Sequence, residues 1–155
     1  MTLAVCERRR VARTWWRPLT AYRDEVEEAH AILTRLTLAP VCHRPTRELA
    51  YGQQRLLEIA LALATRPKVL LLDEPAAGVP REDSKELFEA IAGLSSDITV
   101  LFIEHDMELV FRFASRIIVL VGGSVLVEGT PVEIAADERV RAVYLGQAHR
   151  MGAHG

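Results

Sequence analysis

The chain has 155 residues, half of them hydrophobic and about a quarter charged, with a formal net charge of −2. That balance excludes a disordered chain, and nothing global marks nucleic acid as a partner. The longest apolar runs, Val69 to Leu72 and Ile117 to Val121, are far too short to cross a bilayer. Cys6 and Cys42 fit neither a metal spacing nor a disulfide framework, so a reducing, cytosolic setting is expected.

In chain order, the apolar run Leu3 to Cys6 is too short for a signal sequence, and its arginines follow instead of leading. Residues 7–23 carry Arg8, Arg9, Arg10, Arg13, Arg17 and Arg23 against one acid, Glu7. This run reads either as a solvated helix face or as a docking surface for a partner or lipid headgroups. From Tyr22 to Leu38 the positions Val26, Ala29, Ile32, Leu33 and Leu36 share one helical face. Pro40 and Pro45 then punctuate the chain.

After Gly52, the residues Leu56, Leu57, Ile59, Ala60, Leu63 and Ala64 recur at helical spacing until Pro67. Val69 to Leu72 reads as a strand buried on both faces, as in a parallel sheet covered by helices. Residues 82–94 predict a helix with Leu87, Ile91 and Leu94 inward. Thr99 to Ile103 is a second strand, Met107 to Phe113 a short helix, and Ile117 to Val121 a third strand. Gly122-Gly123 predicts a hairpin turn into Val125 to Val127. Pro131 opens another helix, and a last one is expected near Arg139 to Leu145. The β-α-β-α-β order predicts an α/β fold with a parallel sheet and right-handed crossovers, preceded by a helical region.

Three places offer chemistry. Asp73 and Glu74 stand at the carboxyl end of an apolar strand, where open α/β sheets bind ligands. An Asp there suits Mg²⁺, and the next carboxylate can polarise a water. The plainer alternative is a strand end followed by a turn. The segment Leu49-Ala50-Tyr51-Gly52-Gln53-Gln54-Arg55 opens a helix whose free amides and dipole favour phosphate, although any helix start would look similar. His105, in Ile103-Glu104-His105-Asp106, follows the second strand, and taken singly it is as well explained by a structural or surface role.

In combination these residues resemble the ATP-binding cassette (ABC) ATPases. Leu49-Ala50-Tyr51-Gly52-Gln53 is similar to that family's signature motif, Val69 to Asp73 to its Walker B strand, and Glu74 to its catalytic glutamate. Ala76-Ala77-Gly78 resembles the start of its D-loop, and His105 its switch histidine. Ser124 to Ile134 resembles the usual cassette tail. Tyr51, Glu74 to Gly78, Ile103 to Met107 and Val143-Tyr144-Leu145-Gly146 look most like importers of branched-chain amino acids.

The resemblance implies a P-loop NTPase core in which two subunits sandwich ATP. Ala50, Tyr51, Gly52 and Gln53 would cap a nucleotide held by a second ABC ATPase subunit. Asp73 would hold Mg²⁺, Glu74 the attacking water and His105 the terminal phosphate, with Ala77 and Gly78 in the D-loop. Transmembrane permease subunits would be the other partners, with no nucleic acid, and the location would be the cytoplasmic face of the plasma membrane. Cassette proteins of DNA repair or translation are the rival class. The short link from Gly78 to His105 leaves no room for their insertions.

The chain departs from that pattern in several ways. It contains no G-x-x-x-x-G-K-[ST] loop: its only lysines are Lys68 and Lys85, and its first glycine is Gly52. No glutamine precedes Gln53. The adenine-stacking aromatic is expected to be missing, with Trp15 and Trp16 read as core or subunit-contact residues. Ala50 replaces the usual signature serine, and no Asn or Asp precedes Pro80. The expectation is therefore an incomplete, N-terminally truncated cassette with an exposed sheet edge and uncovered apolar faces. Residues 1–65 would be a helical subdomain, 66–147 the second half of the ATPase core and 148–155 a tail. As an enzyme it would be an ABC-type ATPase by family and inactive in isolation. A non-catalytic chain that only binds a partner cassette or transporter subunit is the alternative.

Overall fold

The computed structural model describes residues 1–11, 18, 21–94 and 96–143. The chain divides into two compact units, Met1–His105 and Asp106–Gly155. Trp15, Trp16, Arg13, Arg17 and the end of the expected last helix lie outside the described residues.

The first unit opens with α1 (Thr2–Arg8) and α2 (Arg23–Arg35). Two short 3₁₀ turns, Ala39–Val41 and Thr46–Glu48, lead to α3 (Tyr51–Leu63). Then come β1 (Val69–Asp73), α4 (Arg81–Ala92) and β2 (Thr99–Ile103). Helical spacing sets the core. Leu56, Ile59, Ala60 and Leu63 form one buried stripe of α3, and Ser84, Leu87, Phe88 and Ile91 form that of α4. These stripes close on Leu33, Leu36, Leu38 and Leu70. Phe88 meets the edge of Phe102 with centroids 5.1 Å apart, which fixes α4 against β2. On α2, Ala29, Leu33 and Leu36 are buried as their spacing predicts, but Val26 is exposed.

Part of the arginine run is consumed inside the fold. Glu28 of α2 accepts Arg8 at 2.6 Å, Arg9 at 2.9 Å and Arg66 at 2.8 Å, while Arg9 also reaches Glu25 at 3.1 Å. Three stretches of chain are thereby fastened at one carboxylate.

β1 and β2 pair in parallel, Val69 opposite Thr99 through Asp73 opposite Ile103. The expectation that Val69 to Leu72 is buried on both faces is corrected. Leu70 is buried, but Val69 and Leu71 are 54% and 69% exposed, and Leu101 and Ile103 beside them are 53% and 60% exposed. Helices α3 and α4 supply apolar partners to one side of this ladder; among the described residues nothing covers the other.

The second unit holds α5 (Met107–Phe113), β3 (Ile117–Val121), β4 (Ser124–Gly129) and α6 (Pro131–Ala136), with residues 138–143 again helical. The Gly122-Gly123 turn forms as predicted. Both residues have positive φ, 56° and 79°, which a two-residue hairpin of this hand requires. The third strand, however, does not extend the parallel sheet. β3 pairs antiparallel with β4, with a register shift between Val119 and Leu120, and β1 pairs with β2 in a separate ladder. The tight turn delivers β4 to β3 locally, at far lower loop-closure cost than a distant strand. Thr130 and Glu133 form a reciprocal capping box at the start of α6, with Pro131 at its first position.

Candidate functional site

The two parallel strands end side by side, and the register brings Asp73 opposite Ile103. Asp73 is exposed at that end. Glu74 then adopts a left-handed backbone, φ 43°, and its N–H donates to the Ile103 carbonyl at 3.0 Å. A non-glycine residue in this region costs roughly 1–2 kcal/mol, and such strain gathers where a side chain must be aimed. Here it turns the chain out of the ladder while Glu74 stays at the sheet edge. The imidazole Nδ1 of His105 lies 3.5 Å from Glu74 Oε1, with both side chains open to solvent. The predicted acid and histidine therefore share one rim.

Glu104, between strand and histidine, was not singled out by the sequence. Its Oε1 accepts the Ala76 N–H at 2.9 Å and ties the loop after Glu74 to the end of β2. Its only sequence signal is an acid directly after an apolar strand. The loop is further closed by Ala77 N–H to Glu74 carbonyl and Val79 N–H to Ala76 carbonyl, each 3.0 Å.

The signature segment opens α3, with Ala50 at the N-cap and no side chain capping the helix. Gln53 Oε1 instead accepts the Ala50 N–H at 3.1 Å, and Gln54 donates to the Leu49 carbonyl at 3.0 Å. The first-turn amides of Tyr51, Gly52 and Gln53 have no intrahelical acceptor by helix geometry, which is the arrangement that attracts an anion. Arg55, also missed by sequence reasoning, donates to the Tyr51 hydroxyl at 3.0 Å, and its guanidinium lies 5.3 Å from that ring's centroid. Its signal was the i, i+4 spacing from Tyr51.

Two glycines bring these pieces together. A Cβ on Gly78, whose φ is +75°, would lie 3.4 Å from the Tyr51 ring. A Cβ on Gly52 would lie 3.4 Å from the Asp83 Cβ and 3.6 Å from Val79. The loop carrying Ala77 and Gly78 thus passes against the start of α3. One continuous stretch, Glu74 to Val79, touches His105 and Glu104 at one end and Tyr51 and Gly52 at the other.

Similarity to known proteins follows this geometry. The family model described as "ABC transporter" matches residues 3–77, and "Branched-chain amino acid ATP-binding cassette transporter" matches residues 124–150. The chain is 44% identical over 128 residues to the high-affinity branched-chain amino acid transport ATP-binding protein BraF of Pseudomonas aeruginosa, covering 81% of this chain and 50% of that protein. Against the LivG protein of the same description from Salmonella typhimurium, identity is 44% over 130 residues, covering 83% and 51%. Among solved structures, the ADP conformation of an ATP-binding cassette of an ABC transporter matches with TM-score 0.70 at 34% identity, covering 78% of this chain and 50% of that one. A nucleotide-free cassette matches with TM-score 0.72 at 28% identity, covering 92% and 60%. The chain spans about half the length of the curated relatives it matches. It belongs to the ATP-binding cassette family of ABC transporters.

Proposed function

We propose that the chain supplies the signature half-site and the hydrolysis residues of an ATP-binding subunit of an ABC transporter that imports branched-chain amino acids. The observation that carries this reading is the meeting of Glu74 and His105 at adjacent parallel strand ends, on a loop that also touches Tyr51 and Gly52. The names of the relatives, branched-chain amino acid transport ATP-binding proteins, supply the solute class.

Each residue has a role that its position supports. The exposed carboxylate of Asp73 fits Mg²⁺, a hard cation that takes one or two protein carboxylates and completes its shell with water and phosphate oxygens. When bound, the ion neutralises charge developing on the phosphates. Glu74 orients a water toward the terminal phosphate, and His105 donates to that phosphate from the neighbouring strand end. The α3 amides at Tyr51, Gly52 and Gln53, with Ala50 leading in, cap the phosphates of a nucleotide held on a second ABC ATPase subunit. Ala77 and Gly78 set the loop between the two half-sites.

Permease subunits are the remaining partners, with no role for nucleic acid. No described helix is long and apolar enough to cross a membrane, so attachment to the inner face of the plasma membrane runs through those subunits. The division into a helical subdomain at 1–65, an ATPase-core half at 66–147 and a tail at 148–155 belongs to this reading.

These 155 residues contain no phosphate loop. Because phosphoryl transfer depends almost entirely on positioning, the chain by itself hydrolyses ATP negligibly. The test is phosphate release by the purified chain, alone and mixed with the complete Pseudomonas relative. Alone, background release is expected; in the mixture, ATP promotes an association that Gly52→Asp abolishes. Turnover by the chain alone at the level of a complete cassette, lost in Glu74→Gln, would overturn the claim of inactivity. Association indifferent to both ATP and Gly52→Asp would overturn the half-site.

A further inference from the structure

The open face of the β1–β2 ladder is the largest unexplained feature of the first unit. Val69, Leu71, Leu101 and Ile103 stand on one side of two paired strands, each more than half exposed. Opposite them, Leu70 is buried and Leu72, Val100 and Phe102 are half-buried. A soluble antiparallel sheet usually alternates apolar and polar residues, so that its outer face is wettable. This ladder does not alternate: Val69 to Leu72 and Val100 to Ile103 are aliphatic or aromatic at every position. Such strands belong to parallel sheets covered on both sides. Contiguous apolar patches of a few hundred Å² on soluble proteins mark surfaces that are covered in the working assembly. The two strands pair with each other and with no other described strand, so each also presents an unpaired edge.

We propose that this face docks an α/β polypeptide segment equivalent to the half of the relatives that this chain does not span, packed through an aliphatic helix and strands added at the free edges. The length relation identifies the occupant. The Pseudomonas and Salmonella relatives are each covered to about half their length, while four-fifths of this chain is used in the match. The missing half is thus of similar size to the chain itself, enough to cover one side of a sheet and extend it. A second copy would bring the same uncovered face but no additional parallel strand that the fold lacks. The face also adjoins the working rim, since Asp73 and Glu74 continue β1 and Glu104 and His105 continue β2. Docking here would therefore place the partner segment beside Asp73. The proposal rests on the exposed ladder and the length relation, not on the assignment of ATP chemistry.

The test is co-expression of the full 155-residue chain with a tagged polypeptide comprising the half of the Pseudomonas relative that it does not match. Stoichiometric co-elution is expected, with less binding of a hydrophobic dye than by the chain alone. Leu71→Lys with Leu101→Lys should abolish co-elution and leave the chain's circular dichroism unchanged, because both side chains already face solvent. A chain insoluble alone but soluble in co-expression supports the proposal. Failure to co-elute, or co-elution indifferent to the two lysines, overturns it. A homodimer that the lysines dissolve also overturns it, by assigning the face to a second copy. ATP hydrolysis by the complex is read separately: a complex that forms but hydrolyses nothing leaves the docking intact and removes the catalytic reading.

Discussion

Replacing Glu28 by glutamine tests whether one carboxylate fastens the helical part of the first unit. Glu28 receives Arg8, Arg9 and Arg66 at 2.6, 2.9 and 2.8 Å. The arms differ in shielding: the Arg8 side chain is 18% exposed and Arg66 66%, around a carboxylate that is 15% exposed. The Arg66 arm is screened and contributes about 0.5 kcal/mol or less. The shielded Arg8 arm is a charge-assisted hydrogen bond of about 1.5–3 kcal/mol. Glu28→Gln should therefore cost about 2 kcal/mol at pH 7, or about 4–8 °C in Tm for a chain of this size. Urea and thermal melts followed by circular dichroism measure it.

The pH dependence has a defined sign. Burial pushes the Glu28 carboxyl up, but hydrogen bonds from Arg66 and Arg8 and the charges of both outweigh it, and its pKa falls below the ordinary 4.5. A depressed carboxylate contributes stability that is full above pH 4.5 and is lost as pH falls through the folded value. The gap between wild type and Glu28→Gln should thus be widest near neutrality and narrow below pH 4.5. Equal stability at pH 7, or a gap that persists undiminished in strong acid, would refute the reasoning.

Two further substitutions probe the frame and the rim. Leu36→Ala, at a fully buried position in the main core, should cost about 2–5 kcal/mol in chemical denaturation; a cost near zero would mean that the site collapses without leaving a void. Glu74→Gly should raise the melting temperature, because it removes a left-handed penalty of roughly 1–2 kcal/mol that exceeds the entropy glycine adds to the unfolded chain. Glu74→Gln keeps the penalty and should melt with wild type, and a Glu74→Gly variant less stable than wild type would show that the carboxylate supports the fold.

Periodicity made the helices legible. Leu56, Ile59, Ala60 and Leu63 are buried where a 3.6-residue repeat puts them, and Gly122-Gly123 announced its turn. The chemistry was legible through strand ends, since parallel pairing of β1 and β2 brings the residues after them together. What failed was everything that depends on a neighbour. Val69 and Leu71 have the composition of doubly covered residues, and composition carries no information about whether the cover is present in the same chain. The third strand reads like the first two, and its partner was decided by a two-residue turn. Glu104, Arg8 and Arg9 have ordinary local patterns; their roles arise from groups 28, 20 and 16 positions away.

The bare start of α3 has one more consequence. Ala50 offers no oxygen where a serine, threonine or aspartate would add about 1 kcal/mol to the helix, so its opening turn is the loosest part of an otherwise well-buried rod. An incoming anion would then do the work that a capping side chain does elsewhere, and occupancy would be felt as a tightening of that turn, next to Gly78, and from there along the backbone toward Glu74.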